Sequence, residues 1–216
     1  MIRRLAGVAA ALLLAGCGDD PRRSEAWTAD LVGIDCCATT RLPSPNSTKT
    51  LIFEPDATGR VQVILSAGWL RRQEVGVADI PAVSSWAPES QGFFISDGEG
   101  SGQTGAFRLF RTPDNGAALE LTAANRAAVA AYRAHVGCPA EASDPALRGL
   151  GWSKNGRRAL VLAQPSIHKP CGQPDAYMVM AVALEDGRVL QQYAAAEAAE
   201  RFGALIPANV RDVTAP

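Results

Sequence analysis

Histidine is scarce. The 216 residues hold two, His135 and His168, and nothing in their local sequence favours a Ser-His-Asp arrangement. Positive charge is not in excess: the formal net charge is −1. That excludes a basic nucleic-acid binder, which needs cations to displace counterions from phosphate, so nucleic acid is not an expected partner. Beyond the first residues no apolar run approaches the roughly 18 residues that a membrane-spanning helix needs. There is no G-x-S-x-G, so an α/β-hydrolase elbow is unsupported. One G-x-G-x-x-G occurs, Gly100 to Gly105, but the strand-like "AFRLFR" follows it. A dinucleotide site needs a helix there, whose N-terminus holds the pyrophosphate; the segment reads as a hairpin loop. The D-x-D-x-D-G calcium loop is also missing. Asp97 and Glu99 therefore read as a solvated acidic loop, and no cofactor is expected.

Apolar residues are plentiful at 47%, so the chain can bury a core. Glycine and proline, 20 and 14, suit many short strands joined by turns. The first stretch, "MIRRLAGVAAALLLAGCGDD", sets Arg3 and Arg4 before an apolar segment, Leu5 to Leu14, that is too short to span. It ends in Leu14-Ala15-Gly16-Cys17. This resembles the lipobox of bacterial lipoproteins. The resemblance implies cleavage after residue 16, lipidation of the Cys17 thiol and acylation of the new amino terminus. Three acyl chains exceed what stable anchoring requires. Residues 17–26 then form the lipidated cysteine and a polar tether. In enteric bacteria an Asp directly after the lipidated Cys favours the inner membrane. Gly18 stands there, so the expected location is the periplasmic side of the outer membrane.

Within residues 27–216, one β-rich domain, a pattern recurs. "SPNSTKTLIF" begins at Ser44, "APESQGFFIS" at Ala87 and "SKNGRRALVL" at Ser153. Each sets a polar turn before an apolar strand, and Trp86 and Trp152 stand directly before the second and third turns. Strand-like runs follow each copy, and "VQVIL" and "FRLF" alternate as half-buried strands should. "EDGR" at Glu185 to Arg188 and "PDNG" at Pro113 to Gly116 are tight hairpin signals, because Gly accepts positive φ. Each copy thus predicts about four strands in up-and-down order. The segments Ser44-Pro45-Asn46, Trp86-Ala87-Pro88 and Trp152-Ser153-Lys154-Asn155-Gly156-Arg157 resemble the WD40-like turn of TolB-type periplasmic propellers. By that resemblance the chain is mainly β: three propeller-blade-like antiparallel four-stranded units and two short helices. Three units are too few for a usual ring of about 4–8 blades. An irregular fourth sheet, an open array capped by helices, or two chains forming one ring each resolve this; a plain β-sandwich is the alternative. "TAANRAAVAAYRAHVG" has apolar residues at helical spacing. It predicts a helical insertion near 123–136, started by Thr122 and stopped by Gly137. A second helix is expected from Ala194 to Phe202, stopped by Gly203.

After Cys17, four cysteines remain: Cys36, Cys37, Cys138 and Cys171. An oxidising compartment makes disulfides the default, and four cysteines allow three pairings. Up-and-down units place all four at one end. The favoured pair is Cys138 with Cys171, a loop of about 33 residues whose closure constrains the unfolded chain by roughly 3–4 kcal/mol. Cys36 and Cys37 then make a vicinal bridge or a thiol pair; cross-pairing stays open. Both histidines lie three residues before a cysteine, His135/Cys138 and His168/Cys171. Together these form a Cys2His2 set for zinc or copper in the alternative reading. The four tryptophans, Trp27, Trp69, Trp86 and Trp152, read as core or turn anchors rather than sugar platforms. The expected function is a membrane-anchored binding or scaffold module with an envelope protein partner and no assigned catalytic residue. A metal or thiol-redox envelope protein is the alternative, and a hydrolase assembled across the units ranks last.

Overall fold

The computed structural model describes residues 26–57, 60–68, 71–98, 106–114, 117–173 and 175–211. The signal segment, Cys17, Trp69, Glu99 and the Gly100 to Gly105 loop lie outside them. The chain enters along two very short strands, β1 (Trp27–Thr28) and β2 (Val32–Ile34). Unit 1 follows as β3 (Thr40–Pro43), β4 (Lys49–Pro55), β5 (Val61–Ala67) and β6 (Arg71–Ala78). Unit 2 is β7 (Ala82–Trp86), β8 (Gly92–Asp97), β9 (Ala106–Arg111) and β10 (Leu119–Glu120). Helix α1 (Thr122–Val136) separates it from unit 3: β11 (Ala146–Ser153), β12 (Arg158–Gln164), β13 (Met178–Ala183) and β14 (Val189–Ala194). Helices α2 (Ala195–Phe202) and α3 (Ala208–Arg211) end the described chain.

Each unit is an antiparallel meander of four neighbouring strands, as the repeats predict. The chain also does something the repeats do not announce. Strand β1 pairs with β11 on the edge of unit 3, and β2 pairs with β7 on the edge of unit 2. The N-terminal segment therefore visits the three sheets in reverse order before the units are laid down. It covers the first-strand edges of units 2 and 3, whose N–H and C=O groups would otherwise be unpaired.

The sheets stack through alternate side chains. In β8, Phe93 and Ile95 point toward unit 1, into a core with Leu51, Phe53, Val63 and Leu65. Phe94, between them, points the other way into a second core with Trp152, Ala159 and Val161 of unit 3. In β12 and β13, Leu160, Leu162 and Val179 point away from unit 2 and are covered by Ala198 and Phe202 of α2 and Val210 of α3. A strand between two layers is buried on both faces, so β8 and β13 are buried at all six positions. The result is a row of three sheets with helices over the far face of unit 3. It does not close into a barrel.

One helix end differs from expectation. Thr122 is the first helical residue of α1 rather than its cap; Leu121 holds the cap position without a side-chain hydrogen bond. Gly137 does end the helix, in the left-handed conformation at φ 74°, with its N–H bonded to the Arg133 carbonyl at 3.0 Å. Helix α2 ends at Phe202 with Gly203 at its C-cap, as expected, although Gly203 is right-handed rather than left-handed there; a turn through 203–206 separates it from α3. Helix α1 buries Ala124, Ala128 and Tyr132 against units 2 and 3. It fills space between sheets rather than merely shielding an edge.

Candidate functional site

The three repeated turns share one backbone geometry. Their fourth residues, Ser47, Ser90 and Gly156, all have positive φ, at 58°, 62° and 66°. In the first turn the Ser44 hydroxyl donates to Asn46 Oδ1 at 2.9 Å and accepts the Lys49 N–H at 3.0 Å. In the third, Ser153 donates to Asn155 Oδ1 at 2.9 Å and accepts the Arg158 N–H at 3.0 Å. Asn46 and Asn155 also accept N–H groups two residues on, from Thr48 and Arg157. These side chains satisfy the turn's own donors, which is why serine and asparagine recur there. The second turn has Ala87 in place of the serine, and its Ser90 side chain instead accepts the Asn46 N–H of the first turn at 3.0 Å. Gly156 of the third turn lies against Ala87 and Pro88 of the second. The three turns thus sit side by side at one end of the sheets.

Beside the second and third turns, units 2 and 3 leave a cleft of about 520 Å³. Gln91 and Arg111 line it from unit 2. Asn155, Arg157 and Arg158 line it from the third turn, and Ala183, Leu184, Glu185 and Leu190 form the β13–β14 side. Arg111 closes β9 and reaches across to the Glu185 carbonyl with Nη1 at 3.5 Å. Its Nε is buried with no hydrogen-bond partner. Arg158 donates to Gln191 Oε1 at 3.4 Å. No carboxylate pairs with Arg111 or Arg157 among the described residues. Leu190 is a large apolar side chain left 49% exposed at the cleft. The site is therefore cationic with an apolar wall, a combination that favours anions carrying an apolar group.

Units 1 and 2 are joined by buried polar groups. Lys49 Nζ donates to the Thr112 and Pro113 carbonyls at 3.1 and 3.3 Å, and burial pulls its pKa down. Gln73 makes a two-way bond with the Ala118 backbone. Trp86 Nε1 donates to the Leu42 carbonyl at 3.0 Å. The reading of Asp97 as part of a solvated loop is corrected here. Asp97 is buried, bonded to Arg108 Nη2 at 3.3 Å, and Arg108 also donates to the Val77 carbonyl of unit 1. Burial pushes the Asp97 carboxyl up, against the opposing pull of Arg108. Trp86 and Trp152 are buried and Trp27 packs edge-on to Phe202, so all three described tryptophans anchor packing.

The cysteines lie away from the turns. Cys138 and Cys171 form a disulfide with Cα atoms 5.4 Å apart, in the segments flanking the opposite end of β11 and β12. The Tyr132 hydroxyl donates to the Cys171 carbonyl at 3.0 Å, tying α1 to the bridge. With both sulfurs bonded to each other, the Cys2His2 set of His135, Cys138, His168 and Cys171 is not assembled; both histidines are exposed. Cys36 and Cys37 are free and exposed, with Asp35 beside them. Hydrogen bonds with Cys37 and then Asp35 push the Cys36 thiol up to about 11, which disfavours a reactive thiolate. The cationic cleft escaped the sequence reading because its arginines come from separated segments of a nearly neutral chain. Arg157 was visible only as the last residue of the third turn, where the first two copies carry Thr48 and Gln91.

Comparison of the chain with known protein families, characterised proteins and solved structures finds no match.

Proposed function

We propose that this chain is a lipid-anchored protein of the bacterial envelope that binds a partner through its turn face. The Leu14-Ala15-Gly16-Cys17 segment supports the anchor, and the polar residues up to Trp27 give the domain a short tether. The likeness of the repeated turns to those of TolB-type propellers supports a scaffold role. The observation that carries the reading is the cleft between units 2 and 3. It offers Arg111 and Arg157 without carboxylate partners. The hydrogen-bonded third turn fixes the backbone on which Arg157 sits. A preformed concave site with few convergent polar groups is the usual form of a binding site.

Two measurements on the full chain, expressed in a bacterial host, test this. Mass spectrometry of membrane-extracted protein is expected to find a lipid-modified Cys17 at the amino terminus, and Cys17→Ser is expected to abolish processing. A photo-cross-linker placed at Leu190 in the cleft is expected to capture a discrete product in intact cells. The same probe at Ile167, exposed near the disulfide, serves as the control. An unprocessed chain, or equal capture at both positions, contradicts the proposal.

A further inference from the structure

We infer that the cleft between units 2 and 3 binds a phosphate monoester attached to an apolar group, with Arg111 and Arg157 as its principal ligands; this rests on the binding-module reading. Charge chooses the anion. Two arginines of the lining, Arg111 and Arg157, have no carboxylate partner among the described residues. Two such guanidinium groups match the two charges of a phosphate monoester better than the one of a carboxylate. Arg111 reaches the cleft through Nη1, which is held only by a long 3.5 Å contact with the Glu185 carbonyl, so a charged acceptor entering the cleft would gain a stronger bond. The guanidinium fork suits two oxygens of one phosphate. Size chooses the rest of the ligand. A cleft of about 520 Å³ is far larger than a phosphate group, and Leu190 gives it an exposed apolar wall. An alkyl or other apolar substituent on the phosphate fills that space.

The shared chemistry has two sources, a membrane lipid headgroup and a soluble phosphate ester. The test is calorimetric titration of the full lipidated chain in neutral detergent with hexyl phosphate, hexanoate and inorganic phosphate. Hexyl phosphate is expected to bind tightest, with salt weakening it. Arg111→Gln and Arg157→Gln should each weaken it about tenfold or more, as loss of a charge-assisted bond does. Arg188→Gln, whose arginine pairs with Asp186, should leave it unchanged. Thermal unfolding of every variant is followed, so that a folding defect is not read as a binding defect. The chain in phosphatidylcholine nanodiscs, with and without phosphatidic acid, separates the sources. Loss of hexyl phosphate binding with phosphatidic acid assigns a lipid headgroup; retained binding assigns a soluble ester. Hexanoate binding as tightly as hexyl phosphate, or arginine variants binding like the native chain, overturns the inference. If that happens while the Leu190 cross-linker still captures its product, the ligand class fails and the binding-module reading survives.

Discussion

Gly149 is where the opening of unit 3 meets unit 2. A Cβ there would lie 2.3 Å from the Phe94 ring, which is itself fully buried and stacked on Trp152. Neither ring has room to retreat, so Gly149→Ala is expected to destabilise the chain by about 1–3 kcal/mol; urea unfolding measures it. At the other end, the disulfide and the free pair behave differently. Cys138→Ser with Cys171→Ser is expected to cost roughly 3–4 kcal/mol through the freed loop of the unfolded chain. Cys36, with its thiol near 11, is expected to alkylate slowly at neutral pH. Its rate should climb with pH toward about 11 rather than level off near the ordinary thiol value; labelling followed by peptide mass spectrometry reads both cysteines. The pairing of Cys138 with Cys171 was the favoured reading but not the forced one, because up-and-down units place all four cysteines at one end; the structure forms that bond. The burial of Asp97 was not legible: the hairpin carrying it and Arg108 was readable, but its docking on unit 1, where Arg108 donates to the Val77 carbonyl, was not.

Elements with a clear period were the readable ones. "VQVIL" and "FRLF" alternate, "LIF", "ALVL" and "MVMAV" are apolar runs bounded by turns, and the alanine-rich stretch repeats at helical spacing, so β4, β5, β9, β12, β13 and α1 fall where the pattern places them. Strands β1 and β2 have two and three residues, too few for any period to show. They exist because open sheet edges need partners, a need felt only once the sheets have formed. The turn geometry makes a symmetrical prediction. Ser44→Ala and Ser153→Ala should each cost about 1 kcal/mol, the net worth of the side-chain bonds that hold the turn, and similar losses at the two sites would mark them as equivalent. The join between units 1 and 2 carries a pH dependence. Asp97 is a carboxyl whose folded pKa is raised above 3.8 by burial. The folded state therefore holds its proton to higher pH than the unfolded state does. Its contribution is present at low pH and is lost as pH rises through the raised value. Asp97→Asn is expected to flatten that fall in a series of unfolding curves taken upward from pH 3.8; an unchanged slope would count against burial as the force that holds the carboxyl up.

At the scale of the whole molecule, the question was how three units avoid an exposed apolar face. Ring closure was one expectation and an open array with helical caps another. The far face of unit 3, with Leu160, Leu162 and Tyr193, is taken by α2 and α3, and Phe202 packs 4.9 Å from Tyr193. That face is not offered to a second copy. Phe202→Ala is expected to cost about 3–5 kcal/mol and to raise self-association, read by sedimentation. The number of units was legible because their turns repeat as strings of residues. The cleft was not, because its lining comes from segments far apart in the chain that meet only when units 2 and 3 pack. The most direct test of a lipid-anchored protein that binds through this cleft is native mass spectrometry of the chain extracted from membranes, beside its Arg111→Gln/Arg157→Gln variant. The expected spectrum shows lipid on Cys17 and an added bound mass that the double variant loses. A chain still starting at Met1, or a bound mass that survives both substitutions, would contradict it.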